Sequence, residues 1–166
     1  MSDSTASASA QVILILIDEV RPRTIQLLEA PLPEWLLWAP HGTQNHITWH
    51  AGHCAWLADV LCIGPVTGAS ELSPRWAETF GQDRTPPART KNWPTVPELV
   101  AVLRAQHLRM RELVSPLSDD ELARVVSPRS GATLARQIVH GLHDEACHQG
   151  EIYLLFKMRW AELKFI

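Results

Sequence analysis

The stretch from Thr133 to Lys157 or beyond contains no proline and carries Leu134, Ile138, Leu142, Ile152 and Leu155 at helical spacing. Residues three, four and seven apart share one side of an α-helix, so this pattern predicts one long helix with a continuous apolar stripe. A helix of that length needs partners of similar length to cover the stripe. The chain offers three more amphipathic segments, at Gln11–Ala30, Asn45–Ile63 and Thr95–Val114. No run alternates apolar and polar over five or more residues with turn signals on both sides. The expected fold is therefore all-α, a four-helix bundle with a long crossover connection and short accessory helices.

Local signals set the expected boundaries. In the first helix Leu14, Ile17, Val20, Ile25 and Leu28 repeat with helical spacing, and Pro22 predicts a bend or a late start near Arg21. Pro31 and Pro33 end it. Asn45 is the expected N-cap of the second helix and Gly64-Pro65 its stop. Thr95-x-x-Glu98 and Ser118-x-x-Glu121 read as capping boxes, the second opening a short helix at Asp119–Val125. Glu71–Phe80 has room for one or two helical turns inside the irregular connection Gly64–Trp93. A long connection of this kind usually crosses a fold or covers a site. Trp76, Arg75, Arg84 and Arg89 within it are candidates for contacting an anionic substrate. Residues 1–10 are expected to be a disordered polar tail, and residues 11–166 a single helical domain.

Composition narrows the partners. A net charge of −3 on 166 residues, without a basic stripe, gives nucleic acid little to hold. The apolar run VILILI lacks a basic n-region and is far too short to span a bilayer, which argues against a signal peptide or an anchor. The three cysteines, Cys54, Cys62 and Cys147, form no C-x-x-C pair. Free thiols in a reducing cytoplasm are the expectation. Cys147 follows one residue before His148 but projects about 100° away from it on a helix, so it is assigned no catalytic part.

Chemistry concentrates in two stretches, NHITWHAGHCAW at Asn45–Trp56 and QIVHGLHDEACHQGEI at Gln137–Ile152. Asp144 and His148 are one helical turn apart and project together. His53 on the second helix can complete a set of two imidazoles and one carboxylate. Such a trio leaves coordination positions open for water or substrate, and suits zinc first, with nickel, cobalt, manganese or ferrous iron also acceptable. The register stays open. Glu145 can also face the site, His140 and His143 offer other combinations, and His46 and His50 compete with His53. Glu151 or Glu145 can act as an outer acceptor that fixes a ligand tautomer.

These two stretches resemble the signatures of the DinB/YfiT-like family of metal-binding four-helix proteins, which includes mycothiol- and bacillithiol-dependent S-transferases. HITWHAGHCAW is similar to the family's serine–hydrophobic–x–Trp–x–x–x–His segment. The metal histidine falls on His53, and His46 replaces the usual serine. HDEACHQGEIYLL is similar to the second signature, with the ligand on His148. The partner ligand one turn earlier is commonly histidine in the family, and glutamate in the mycothiol-dependent maleylpyruvate isomerase branch. Here it is Asp144.

The resemblance implies a DinB-like bundle, a divalent metal at His53, Asp144 and His148, and a homodimer. The function it suggests is metal-dependent transfer of a low-molecular-weight thiol, or a related hydrolysis, on a small electrophilic substrate. His50 and Glu145 are the candidate proton-transfer groups. The alternative is a non-enzymatic, metal-binding, damage- or stress-responsive dimeric protein. Trp35, Trp38 and Trp93 could supply either an interface or a pocket.

Overall fold

The computed structural model describes residues 6–82 and 93–164. Helix α1 spans Ala8–Glu29 and α2 spans Ile47–Ala58, and α2 continues through a π-helical turn at Asp59–Ile63 into the single turn α3, Gly64–Thr67. Helix α4 covers Pro74–Phe80, α5 Val96–Val114 and α6 Asp119–Ala123. A minimal hairpin, β1 Val125–Ser127 antiparallel to β2 Ala132–Thr133, leads into α7, Leu134–Leu163. Helices α1, α2, α5 and α7 form the bundle, with α1 packed on α5 and α7, and α2 packed on α7 and α5. Arg84 and Arg89 lie outside the described residues.

Capping set most of the helix starts. Thr95 and Ser118 form complete capping boxes with Glu98 and Glu121. The Thr133 hydroxyl accepts from the Arg136 amide at the start of α7. All five apolar residues expected on the α7 stripe are buried. One half of the core joins Ile13 and Ile17 to Met110, Leu134, Ile138 and Leu142; the other joins Ile25 and Leu28 to Ala51, Leu103 and Ile152. Among the described residues, no helix is long and apolar enough to cross a membrane.

Several boundaries differ from expectation, each for a local reason. Ser7 caps α1, so residues 8–10 of the expected tail are helical, and Ala10 is fully buried. The helix continues through Pro22, because apolar burial on both sides offsets the missing hydrogen bond. His46 rather than Asn45 caps α2, its Nδ1 accepting from the Trp49 amide at 3.2 Å. Gly64-Pro65 does not stop that helix. The π turn just before it changes the backbone pairing, and proline is tolerated in the first turn of the segment that follows. The chain then leaves through Gly68, in the left-handed region at φ 85°. Buried Asp59 at the start of the π turn accepts from the Ser70 hydroxyl and from the amides of Glu71, at 2.9 Å, and Leu72, at 3.3 Å. It thus ties the crossover connection to α2.

Two glycines bring the site elements together. A Cβ on Gly52 would fall 2.3 Å from the Phe80 ring, so only glycine lets Phe80 lie against α2. A Cβ on Gly141 would meet Cys62 Sγ and Leu61 Cβ at 3.0 Å, so glycine also lets α7 approach the π turn closely.

Candidate metal centre

Helix α2 presents Trp49, His50, His53 and Trp56 toward α7, which answers with Asp144, His148 and Glu151. The aromatic rings pack as one group. Trp49 stacks on His53 with centroids 4.9 Å apart, and the His53 and His148 rings are 4.7 Å apart, edge to face. His50 and His148 are 5.1 Å apart. His46, His50 and His53 are all buried.

Hydrogen bonds fix the tautomers. His53 Nδ1 lies 2.5 Å from the Phe80 carbonyl oxygen, which can only accept, so Nδ1 carries the proton. Burial lowers the pKa of His53, and the Phe80 carbonyl only partly opposes this. A neutral ring with Nδ1 protonated keeps its Nε2 lone pair for another partner. His148 follows the same logic. Its Nδ1 is 2.7 Å from Glu151 Oε2, and burial, with His50 nearby, lowers its pKa. The hydrogen bond from His50, reinforced by His148, holds the Glu151 carboxyl down at about 2, so it is an ionised acceptor. Burial and neighbouring His50 push His46 down to about 4, which keeps its Nδ1 free to cap α2.

Two groupings bear on an ion, but among the described residues only the first has its ligand atoms within 4.8 Å of one another, and the second is spread more widely. In the first, His50 Nδ1, His148 Nδ1 and Glu151 Oε2 form a triangle with edges of 2.9, 2.7 and 3.1 Å. These three residues bring ligand atoms within 4.8 Å of one another and could hold a divalent metal. Adjacent ligands at about 2.1 Å from an octahedral ion are about 3 Å apart, so the triangle suits one face of an octahedron. The second grouping is the one expected from sequence: His53, Asp144 and His148. His53 and Asp144 border one cleft of about 320 Å³, together with Trp56, Leu57, Val60, Leu61, Gln82 and His140. The charge of Asp144 acts on both the His53 and the His148 ring. A neutral imidazole offers a single lone pair, so His148 serves one grouping or the other at any moment.

Glu145 is not part of either. Its carboxylate points away from the histidines, under α1, where Oε2 sits 2.9 Å from Arg21 Nη2 and Oε1 accepts from the Thr24 hydroxyl at 2.5 Å. Both side chains are almost wholly buried. The Arg21–Glu145 contact is an ion contact rather than a well-directed hydrogen bond, and Arg21 Nε and Nη1 have no acceptor among the described residues. Burial outweighs Arg21 and raises the Glu145 pKa. Gln149 closes the network, donating to Val20 O at 2.6 Å and to Thr24 Oγ1 at 2.9 Å. Glu145, expected as a proton-transfer group, is instead buried away from the histidines against Arg21 and Thr24.

Other sequence candidates have ordinary placements. His140 borders the cleft and is exposed, while His143 Nε2 is 3.9 Å from exposed Cys147 Sγ. Cys54 and Cys62 are buried, and burial pushes both thiols up, Cys62 to about 12. Trp35 packs into Phe156 and Trp160, with centroids 5.1 and 6.0 Å away. Trp93 packs on His46 and Phe80, and Trp76 on Phe80. The Phe80 carbonyl could not have been found from sequence, because any residue type supplies one. The Arg21–Glu145 pair could have been. Each occupies a position on its helix between buried apolar neighbours, Ile17 and Ile25 around Arg21, Leu142 and Ile152 around Glu145.

Residues 16–152 match the DinB superfamily. The chain belongs to that superfamily. The solved structure described as the conserved protein of locus from Enterococcus faecalis is similar in fold, with a TM-score of 0.66 at 19% identity, over 90% of this chain and 95% of that one. No curated protein matches the chain. As a DinB protein, it is helical with a His/Glu cluster able to take a divalent metal.

Proposed function

We propose that this DinB protein binds a divalent ion, zinc in the first instance, through His53 Nε2, His148 Nε2 and the Asp144 carboxylate. One observation carries the reading: His53 and His148 each spend Nδ1 on an oxygen, from Phe80 and Glu151, while their rings stand 4.7 Å apart. Metal-bound histidines commonly donate their other nitrogen in this way, to a backbone carbonyl or a carboxylate. The donor set of two imidazoles and one carboxylate suits a borderline metal with open positions. A second placement, in the His50–His148–Glu151 triangle, is favoured by the short distances between those atoms.

The activity that fits best is transfer of a low-molecular-weight thiol, or water, to a small electrophile. A bound divalent ion supplies Lewis acidity, lowering the pKa of a thiol or water so that a nucleophile exists at neutral pH. The chain's own residues do the rest. Phe80 O and Glu151 orient the two imidazoles, Trp49 and Trp56 flank His53, and buried His50 beside Glu151 can hold the released proton. The competing reading is a non-catalytic metal-binding dimer. It draws on the exposed apolar end of α7, at Tyr153, Leu154, Met158 and Trp160, which a second copy would cover.

Elemental analysis of dialysed protein tests the ligand set. His53→Ala, Asp144→Asn and His148→Ala should each lose the ion, and His50→Ala should keep it. Glu151→Gln should keep it with affinity lower by about 10- to 100-fold. If His53→Ala and Asp144→Asn stay loaded while His50→Ala and Glu151→Gln empty, the ion belongs to the triangle and this assignment is wrong.

A further inference from the structure

Asp144 and His148 stand one turn apart on α7 and so form a row along one side of it. Glu145 and Gln149 each follow one of them and form a second row, turned from the first by about 100°. The first row faces α2, where His53 and the cleft lie. The second faces α1, and both of its members bond to one atom there. The Thr24 hydroxyl donates to Glu145 Oε1 at 2.5 Å and accepts from Gln149 Nε2 at 2.9 Å. Gln149 Nε2 also donates to Val20 O at 2.6 Å, and Arg21 Nη2 lies 2.9 Å from Glu145 Oε2. Thr24 is fully buried. To either side of this polar layer α1 and α7 share aliphatic clusters, Ile17 with Ile138 and Leu142 at one end, Ile25 and Leu28 with Ile152 and Leu155 at the other.

We infer that Thr24 is a positioning residue for the candidate metal centre: its one hydroxyl fixes the rotation of α7 and so aims Asp144 and His148 at α2. The inference rests on the metal reading above but not on the choice between its two groupings, because His148 belongs to both. Aliphatic burial has no direction, so a helix resting on it alone can turn slightly at little cost in buried area. A hydrogen bond weakens steeply away from its preferred angle, so two bonds meeting at one buried oxygen set both the turn and the height of α7. The Arg21 contact attracts Glu145 but is poorly directed, and it does not set the angle. Small rotations matter at the site. With side chains ending about 5 Å from the helix axis, a turn of about 20° moves a ligand atom by nearly 2 Å. Metal–ligand distances tolerate only about 0.2 Å.

Two substitutions separate the hydroxyl from the packing. Thr24→Val keeps the branched shape and removes the hydroxyl, whereas Thr24→Ser keeps the hydroxyl and removes the methyl. Zinc affinity of the full chain is measured by competition with a chromophoric chelator, beside the ¹⁵N shifts of the His148 ring in metal-free protein at pH 7. Thr24→Val should weaken zinc by about 10- to 100-fold, the range for a residue that orients a ligand from behind. It should also move His148 from the protonated-Nδ1 form toward a mixture, as the bond to Glu151 loosens. Thr24→Ser should stay within about threefold of wild type and keep the wild-type shifts, whatever the lost methyl costs in stability. Gln149→Met, at a half-buried position, removes the second bond and should follow Thr24→Val at smaller amplitude. It keeps the test in hand should Thr24→Val fold poorly. Equal losses from Thr24→Val and Thr24→Ser would mean that packing, not the hydroxyl, is at work, and would overturn the inference. So would wild-type affinity and shifts in both Thr24→Val and Gln149→Met. Wild-type protein that takes up no zinc would sink the metal reading alone, with the His148 shifts still deciding whether Thr24 aims that ring.

Discussion

Asp144 and Glu145 are neighbours in sequence and share a charge, yet they occupy opposite kinds of surroundings. One residue of helix turns a side chain by about 100°. That rotation puts Asp144 on the cleft with His53, and Glu145 beneath α1 against Arg21 and Thr24. Both regions are polar insertions in an apolar bundle. Around Glu145 the groups mostly answer one another, through Arg21, Thr24, Gln149 and Val20 O. In the histidine cluster each ring spends one nitrogen on its neighbours and keeps the other. The first arrangement is sealed beneath α1, though Arg21 Nε and Nη1 find no acceptor among the described residues; the second borders a cleft. Access to a cleft, more than the amount of buried charge, separates the candidate reactive region from the structural one.

The largest expected effect tests that division. Glu145→Ala leaves Arg21 charged and unpaired in the core, and should cost about 3–5 kcal/mol of stability. Asp144→Ala, on the half-buried cleft wall, should cost no more than about 1 kcal/mol in metal-free protein. Urea unfolding with chelator present measures both. Burial already raises the Glu145 pKa despite Arg21, so the pair is poorly compensated. The double change Arg21→Met with Glu145→Leu should then recover most of the loss, since an apolar pair of similar volume is often neutral or better. If Asp144→Ala proves the more damaging change, the two regions have been assigned the wrong way round.

Acid should act on the histidine side. His46 is held at about 4, against an ordinary value of 6.5, by burial and by His50. A depressed histidine pKa means that the unfolded chain binds the extra proton first. Stability is therefore fully present above pH 6.5 and falls as pH drops from about 6.5 toward 4. The full swing is about 3 kcal/mol for this one group. His46→Ser keeps a capping oxygen and removes the titrating ring, so its stability should vary less over that window. Metal-free wild type and variant, unfolded in urea at pH 7 and pH 4.5, give the comparison. Parallel slopes would mean that His46 is not the group responsible.

Much of this was open to reading from residue order, and the gaps have a common cause. The capping boxes at Thr95 and Ser118 and the α7 stripe act over three or four residues, so local spacing sufficed. The two signature stretches placed His53 and His148 on facing helices for the same reason. What escaped was longer in range or lacked a side-chain mark. The π turn after Ala58 opens on Asp59, whose carboxylate accepts from residues 70–72, eleven to thirteen positions downstream. The Phe80 carbonyl holding His53 is a backbone atom 27 residues away. Glu145 has the right spacing to His148 for the site, but its place between buried Leu142 and Ile152 turns it under α1 to Arg21 and Thr24. The two-strand hairpin is too short to show an alternating pattern at all.

The smallest effect separates the shell around the open site from the frame that carries it. Gly52 and Gly141 both permit close approach, but to different things. Gly141 seats α7 on Cys62 and Leu61, contacts at 3.0 Å that a slight shift can relieve. Gly52 seats the Phe80 ring, at 2.3 Å from an added Cβ, and Phe80 has no room because its own face is covered by Trp76 and Trp93. Gly52→Ala should therefore cost about 1–3 kcal/mol through overpacking, partly offset by the better helix propensity of alanine. Its further consequence falls on His53. Displacing Phe80 removes the carbonyl that fixes the Nδ1 proton, so the His53 imidazole can exchange tautomers. The ¹⁵N shifts of that ring, in metal-free protein at pH 7, should move from a single protonated-Nδ1 form toward a mixture. Gly141→Ala should leave them alone. If Gly52→Ala destabilises the fold without altering the tautomer, then the Phe80 carbonyl is not what orients His53, and the cleft side of the molecule loses its best-defined hydrogen bond.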